Sequence, residues 1–191
     1  MKNEQIIKLS RQVGLLKTIK RQGWVLKGVK DAESVADHVF GVAFLLMLLA
    51  KHRSINFERA IKMVLIHDIG ESLVGDTVYE SGNKVIASLE KKHADERKAM
   101  LTIFTGYADK EEYLNLWEEW LQRKTPETQL VKWVEKLEMA MQALKYENEG
   151  YEHSLFDEFW ENTEKYLKDS YLEGLFKTLK KERGKLPAFK H

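Results

Sequence analysis

Apolar residues recur at three- and four-residue spacing through most of this 191-residue chain, and this periodicity limits its fold more than any other feature. Near the N-terminus, for example, Ile6, Leu9 and Val13 would share one face of a helix. We find no sustained alternation of apolar and polar residues, and the chain contains only two prolines. The sequence therefore predicts an all-α fold with one domain over residues 1–191, in which C-terminal helices over 151–185 pack on the preceding part.

Capping signals predict where several of these helices begin. Ser34 is a plausible N-cap of a helix that runs to about Arg53, and Asn56 could cap the next helix. Thr125 followed by Pro126 is typical of a helix start, because proline is tolerated at the first helical position. Each signal is local, so it predicts a boundary without any knowledge of the tertiary fold.

Segments between these helices are less regular. Residues 72–83 contain Gly75, Gly82 and several small polar residues, which predicts a loop. A further helix is predicted over 85–104 and the last helices over 155–181.

Composition excludes several classes of protein. The chain has no cysteine, so any bound metal must have nitrogen and oxygen ligands. A formal net charge of +1 gives no electrostatic preference for nucleic acid or a membrane surface. The longest apolar run, residues 42–50, is too short to cross a bilayer, and residues 1–10 lack the apolar stretch of a signal peptide. These features predict a cytoplasmic protein without nucleic-acid or membrane partners.

His67 and Asp68 stand together at the end of the apolar segment 63–66. A carboxylate at the end of a buried segment is costly unless it is paired or bound to a metal. Glu71 follows one turn later, and His38 lies in the middle of an earlier predicted helix. Imidazole and carboxylate groups together suit a divalent metal ion. Taken alone, however, His38 would be interpreted as a hydrogen-bonded core histidine, so the residues by themselves leave both interpretations open.

Four sequence blocks, two of which contain these histidines and acids, follow one another along the chain: RQGW at 21–24, ESVADH at 33–38, HDIGE at 67–71 with GD at 75–76, and VEKLEM at 134–139. Their order and spacing resemble those of the HD superfamily of metal-dependent phosphohydrolases. Within the superfamily they resemble the YfbR-like 5'-deoxynucleotidases and their archaeal and eukaryotic relatives. The resemblance covers about residues 12–150, and it implies an all-α, single HD-domain helical bundle.

The resemblance implies a metal site. His38, His67 and Asp68 match three ligands of one divalent ion, with manganese, cobalt, magnesium, zinc and nickel as candidates. The fourth ligand of the family is normally aspartate, whereas this chain has Glu135, whose carboxylate can bind the same metals. Glu138, one helical turn further on, is the alternative ligand.

The same resemblance implies roles around the metal. Glu71 matches the acid that protonates the leaving group, and Asp68 is a ligand that can also orient the attacking water. Arg21 matches a phosphate-binding residue, and Asp76 matches the acceptor of a hydrogen bond from the sugar 3'-hydroxyl. Trp24 matches an aromatic residue that packs against the sugar and disfavours a 2'-hydroxyl, although it could instead simply pack a helix onto the core.

The implied function is removal of the 5'-phosphate from deoxynucleoside 5'-monophosphates by a homodimeric enzyme whose partner is a small-molecule nucleotide. One alternative is a phosphodiesterase or nucleoside triphosphohydrolase on the same scaffold. A triphosphate would need more basic residues around the site than the sequence places there. Another alternative, motivated by Glu135, is a non-catalytic module that binds a nucleotide or a metal. Turnover of deoxynucleoside monophosphates with added metal separates the enzyme from this module.

Overall fold

The computed structural model describes residues 3–78, 80–81, 84–85 and 88–187, and helices dominate this part of the chain. The helices are α1 (Asn3–Leu16), α2 (Gln22–Val25), α3 (Val35–Leu49), α4 (Phe57–Ile66), α5 (Glu71–Val74), α6 (Leu89–Ile103), α7 (Lys110–Gln122), α8 (Pro126–Asn148), α9 (Asp157–Tyr166) and α10 (Ser170–Arg183). A 3₁₀ turn, His153–Phe156, precedes α9, and a two-residue antiparallel pair joins β1 (Glu80–Ser81) to β2 (Lys84–Val85).

Helix α8 is the centre of the fold. Helices α3, α4, α9 and α10 all pack against it. Apolar side chains on several sides of α8, including Leu130, Val131, Val134 and Leu137, are therefore buried. All the buried apolar side chains of the described residues except Ala99 belong to one cluster that extends from Leu16 to the C-terminal helices. This packing holds α3, α4 and α8 side by side, and the predicted metal ligands lie on α3, at the end of α4 and on α8.

The predicted N-caps are present. The Ser34 hydroxyl accepts a hydrogen bond from the Asp37 amide, and the Asp37 carboxylate accepts one from the Ser34 amide, which completes a capping box. Asn56 accepts from the Arg59 amide at 3.0 Å, and Thr125 caps α8 as predicted. These boundaries could be predicted because each cap satisfies amide groups of its own helix.

The helix that Ser34 begins is shorter than predicted. It ends at Leu49 rather than near Arg53. His52 has a φ of 67°, a left-handed conformation that cannot continue a right-handed helix. The Arg53 side chain instead donates to the Leu49 carbonyl and to the Asp169 carboxylate before α10.

The segment between α4 and α6 is more structured than predicted. Residues 72–74 belong to the one-turn helix α5, and two residues of the predicted loop form β1. Residues 79, 82 and 83 of that loop lie outside the described residues. The helix predicted from residue 85 begins at Leu89, because Ser88 caps it and Val85 pairs with β1.

The prediction of an all-α fold is confirmed, since the strands are only two residues long. Within the described residues, no helix combines the length and apolar character that a bilayer crossing needs. Helices α9 and α10 pack on α8, in the manner expected for the C-terminal part. A single domain over the whole of 1–191 stays a prediction.

Candidate active site

A cavity of about 530 Å³ opens among the helices. Arg21 before α2, Asp68 after α4 and Glu71 at the start of α5 line part of it, and Glu135 of α8 and Phe159 of α9 line other parts. Residues far apart in sequence therefore meet at one concave surface that combines charged groups with apolar ones, which is the usual setting of a small-molecule site.

The end of α4 positions His67 and Asp68. The helix ends at Ile66, and the chain turns through residues 67–70 before α5 begins. The Nδ1–H of His67 donates to the Val64 carbonyl at 2.7 Å, which leaves Nε2 with its lone pair. That buried Nε2 lies 3.1 Å from Asp68 Oδ2 and has no hydrogen-bond partner among the described residues. The turn thus presents an imidazole nitrogen and a carboxylate oxygen side by side.

A hydrogen bond at Nδ1, the ring nitrogen that faces away from His67 and Asp68, fixes the orientation of His38. It is fully buried in α3, and its Nδ1–H donates to Glu138 Oε2 of α8 at 2.7 Å. Its Nε2 is buried without a partner in the described part of the chain. Gly41, one turn further along α3, makes room for this contact, because a Cβ there would lie 2.7 Å from Glu138 Oε1.

The ligand atoms of His38, His67 and Asp68 all lie within 4.8 Å of one another. Two buried, partnerless ring nitrogens beside a carboxylate suit a divalent cation, because each would otherwise be a buried polar atom with an unmet hydrogen bond. Burial alone would raise the pKa of Asp68, but His67, Arg21 and His38 lower it, so this carboxylate is ionised. The three residues therefore have the chemistry of a metal site.

Glu135 and Glu138 occupy different places on α8. Glu135 lines the cavity, and its Oε2 is buried with no hydrogen-bond partner among the described residues. Burial would raise its pKa, but Lys136, Arg123 and the two histidines lower it to about 2. Glu138 instead binds the far nitrogen of His38 and, with Glu33, forms a second acidic group behind that ring. Glu135 thus lines the cavity and Glu138 does not, but the ligand atoms within 4.8 Å of one another are those of His38, His67 and Asp68. Glu135 as the fourth ligand stays a prediction.

Arg21 joins two acids at the cavity. Its Nη1 lies 3.5 Å from Asp68 Oδ2 and 3.8 Å from Asp76 Oδ1. Asp76 is held by the Gln22 amide, which donates to its Oδ2 at 2.7 Å. Burial would lower the pKa of Arg21, but Asp76 and Asp68 raise it, so the guanidinium keeps its charge. The predicted phosphate-binding and sugar-binding residues therefore lie together, next to the predicted metal ligands.

Glu71 is 2% exposed, and its Oε2 has no hydrogen-bond partner among the described residues. Burial, followed by the charges of Asp68 and Asp76, raises the pKa of Glu71 well above its ordinary value. Arg21 and Lys92 act in the opposite direction, and Lys92 Nζ lies 3.9 Å from Glu71 Oε1. Protonation removes the cost of burying this charge, so the site favours the neutral acid.

Trp24 is 1% exposed, and its indole is packed rather than free. The ring stacks on Phe159 with centroids 4.0 Å apart, and its Nε1–H donates to Glu33 Oε1 at 2.7 Å. Trp24 nevertheless contributes to the cavity lining. Its contact with a sugar stays a prediction, and its packing on α9 is the feature that the structure describes.

Sequence analysis missed several residues of the cavity. Lys92, Arg123, Lys132 and Lys136 line it, and so does Phe159. The first four lie on charged, amphipathic helices or at their ends, where a cation ordinarily faces solvent. Only the packing of these helices shows that the cations face a shared cavity.

The family follows from a comparison with known proteins. The chain matches the HD domain family over residues 13–175, and it belongs to this family. The predictions of family and fold class are thereby confirmed.

Individual relatives agree with this assignment. The chain is 36% identical to 5'-deoxynucleotidase HDDC2 of Danio rerio over 95% of this chain and 90% of the relative. It is 40% identical to the protein of the same name from Dictyostelium discoideum over 73% and 76% of the two chains. A crystal structure from Pyrococcus horikoshii superposes with a TM-score of 0.74 at 34% identity, covering 91% of this chain and 97% of that one. The relatives from Danio rerio and Dictyostelium discoideum carry the name of the group that the sequence resembles.

Proposed function

We propose that this protein is a metal-dependent phosphohydrolase that removes the 5'-phosphate from deoxynucleoside 5'-monophosphates. The observation that carries the proposal is the pair of buried, partnerless ring nitrogens of His38 and His67 beside Asp68. The names of the relatives support the substrate class. The proposal includes a nucleotide as the small-molecule partner, a cytoplasmic location and no nucleic-acid or membrane partner.

His38, His67, Asp68 and Glu135 would hold one divalent ion. Nitrogen and oxygen donors suit the series from manganese to zinc, and carboxylates also suit magnesium. A metal ion bound there supplies Lewis acidity, which withdraws charge from a phosphate and makes a water molecule more acidic. Glu138 would keep the His38 ring in the orientation that directs Nε2 at the ion, the usual function of a carboxylate behind a ligating histidine.

Other side chains of the cavity have separate roles in the proposed reaction. Arg21 binds the phosphate and offsets its charge with a planar, forked donor, and Asp68 and Asp76 keep that guanidinium in place. Asp68 also orients the attacking water. Glu71, neutral because of its burial, donates its proton to the 5'-oxygen as the P–O bond breaks. The nucleoside then leaves as an alcohol, and inorganic phosphate is the second product.

One screen tests the proposal. Phosphate release from dAMP would be measured with manganese, cobalt, magnesium, zinc or nickel added, and with a chelator in place of metal. We expect turnover that depends on a divalent ion and stops with the chelator. Metal binding without turnover of any deoxynucleotide would favour the non-catalytic module instead.

Replacing Gly41 with alanine is expected to weaken metal binding by roughly 10–100-fold, the usual cost of disturbing the group behind a ligand. The new Cβ would displace the Glu138 carboxylate from His38, while the flexible glutamate end avoids a clash with backbone. Gly174→Ala is the matched control, since a Cβ at this other helical glycine meets nothing within 4 Å. Metal affinity would be measured by calorimetry, and equal affinity in the two variants would contradict the role of Glu138.

Deoxynucleotides are expected to be hydrolysed faster than ribonucleotides, because Trp24 leaves no room for a 2'-hydroxyl and a clash discriminates more strongly than a lost contact. Trp24→Phe should reduce the dAMP-to-AMP ratio of kcat/KM, mainly because AMP improves. Trp117→Phe is the control, because Trp117 is equally buried. Equal rates on both sugars in the wild type, or the same change of ratio in both variants, would leave Trp24 as a packing residue alone.

We also propose that the protein is a homodimer that uses the exposed face of α3. Phe40, Phe44, Met47 and Leu48 are 73%, 50%, 51% and 55% exposed, and the two phenylalanine rings stack on each other. No charged residue occurs from residue 39 to residue 50, so the face suits an equally uncharged copy of itself.

The oligomeric state tests this surface. Phe44→Glu should convert a dimer into a monomer in sedimentation experiments, because two buried glutamates would face each other across the two-fold axis. Tyr171→Glu is the control, because Tyr171 is also exposed but lies on α10 rather than on α3, and it should leave the dimer intact. A wild-type monomer at micromolar concentration, or an unchanged dimer in Phe44→Glu, would contradict the proposal.

A further inference from the structure

Three cations line the cavity around Glu135. They are Arg123 at the end of α7 and Lys132 and Lys136 on successive turns of α8, and together they are named the cationic wall. Arg123 has a left-handed backbone with φ of 55°, and its guanidinium lies 3.8 Å above the ring of Trp120, which also lines the cavity. The stacked ring limits where this guanidinium can point, so the wall has a partly fixed shape.

The charges of the wall are not balanced by the acids next to it. Arg123 Nη1 and Lys136 Nζ lie 3.8 Å and 3.9 Å from the two oxygens of Glu135. Glu158, which also lines the cavity, pairs with Lys27 at 3.1 Å. Among the described residues, two of the three cations therefore contact the one carboxylate of Glu135, and Lys132 instead lies over the ring of Tyr166. The wall thus carries two more positive charges than contacting carboxylates.

The other cations of the cavity differ in this respect. Arg21 is close to two acids, Asp68 and Asp76. Lys92 likewise has Glu71 and Glu96 within 3.9 Å and 3.5 Å. The positive excess is therefore confined to the wall around Glu135.

The positive charges of the cationic wall repel one another, and the pKa of Lys132 reflects this repulsion. Burial lowers the pKa of Lys132, and Arg123 and Lys136 lower it further. The Nη1 of Arg123 is buried without a hydrogen-bond partner among the described residues. A buried donor that lacks an acceptor is costly, so an anion in front of the wall would relieve both the repulsion and the unmet hydrogen bond.

The need to neutralise the charge of Glu135 does not explain why three cations lie here, because a single cation would balance a single carboxylate. The monophosphate of the proposed function does not explain them either, since Arg21 and the metal ligands already surround its place. We propose that the cationic wall is a subsite for a second phosphate, so that the cavity also binds nucleoside 5'-diphosphates through their terminal phosphate. The inference rests on the proposed function for the position of the first phosphate, next to Asp68 and Glu135.

The distances support neighbouring phosphates. Glu135 would contact the ion that holds the first phosphate, and Arg123 and Lys136 lie within 4 Å of that same carboxylate. Lysine side chains are long and flexible, and their ammonium groups bind phosphate as mobile point charges. A diphosphate would therefore extend from the metal ligands to the wall without any movement of the helices.

Calorimetric titration of dADP and dAMP tests the subsite. It would be run on the full chain with the metal ion bound and with Glu71→Gln in every variant, so that turnover is slow during the titration. We expect the protein with the wild-type wall to bind dADP roughly ten-fold more tightly than dAMP, the effect of one or two charge-assisted contacts. Lys132→Gln and Lys136→Gln should each reduce that ratio, whereas Lys145→Gln should keep it. Lys145 is on the same helix, but it is exposed and paired with Glu149.

The outcomes are separable from those of the proposed function. Equal affinity for the two nucleotides with the wild-type wall, or an unchanged ratio in both wall variants, would overturn the subsite even if wild-type protein hydrolyses dAMP. A preference for dADP, when wild-type protein hydrolyses no nucleotide, would support the subsite and reject the enzyme. Thermal unfolding checks that each variant folds. If Lys136→Gln does not fold, Lys132→Gln decides alone, because Lys132 forms no ion pair with another described residue, although the substitution loses its contact with the Tyr166 ring.

Discussion

Asp68→Ala is expected to abolish metal-dependent hydrolysis in a protein that remains folded. The change removes a ligand oxygen and the negative charge that opposes the cation, so metal content and phosphate release should fall together. Loss of the metal removes several kcal/mol of transition-state stabilisation, and about 4 kcal/mol corresponds to ~10³-fold in rate. The measurement is phosphate release from dAMP alongside metal content by atomic absorption.

The matched control is Asp109→Ala. Asp109 is an exposed aspartate before α7, and its side chain makes no capping hydrogen bond. Circular dichroism would verify that both variants keep their helical content. Unchanged turnover in Asp68→Ala would end the interpretation of this residue as a ligand, whatever the control shows.

Glu71→Gln is expected to leave metal bound and to slow turnover by ~10²–10⁴-fold, the usual contribution of a general acid. Glutamine preserves the size of the side chain but cannot give a proton to the leaving oxygen. Glu96→Gln is the control, because Glu96 is also buried and also pairs with Lys92. Similar losses in both variants would attribute the effect to a displaced Lys92, and loss of metal in Glu71→Gln would make Glu71 a ligand.

The dependence of turnover on pH is an independent test of Glu71 as the general acid. Burial and the neighbouring acids raise the pKa of Glu71, so the proton is present at low pH and is lost as the pH rises through that raised pKa. Turnover should therefore fall on the alkaline side in the wild type. Glu71→Gln should lack this limb, because it has no proton to lose there.

Much of the fold could be predicted from local signals. Ser34, Asn56 and Thr125 cap helices as expected, since each cap depends only on residues within one turn of it. The end of α3 could not be predicted, because it depends on Arg53 reaching Asp169, a residue 116 positions away. Helix α5 is a single turn, which is too short for an apolar period to be visible.

The candidate site also has a part that could be predicted from the sequence and a part that could not. The spacing of blocks brought His38, His67 and Asp68 together, and the structure has their ligand atoms within 4.8 Å. The roles of the residues around these ligands could not be predicted from the sequence. Gly41 makes room for Glu138 only because α8 passes close to α3. The position of the Lys132 charge at the cavity depends on how α7 and α8 pack.

For Trp24, two roles were open at the level of sequence: contact with a sugar, which the resemblance implies, and packing of a helix onto the core. The structure describes the packing, with the indole stacked on Phe159 and hydrogen-bonded to Glu33, and the sugar contact stays a prediction. Such a fixed ring can still shape the cavity, and its rigidity would make a clash with a 2'-hydroxyl more effective. The comparison of dAMP with AMP decides between these functions.

The most direct test of the metal site is anomalous diffraction from a crystal grown with manganese or zinc. We expect one peak, with zinc at roughly 2.0–2.2 Å from Nε2 of His38, Nε2 of His67 and an oxygen of Asp68. Glu135 should complete the protein ligands, and Glu138 should remain on Nδ1 of His38. A peak between Glu33 and Glu138, or no peak near His67 and Asp68, would show that the metal site lies elsewhere.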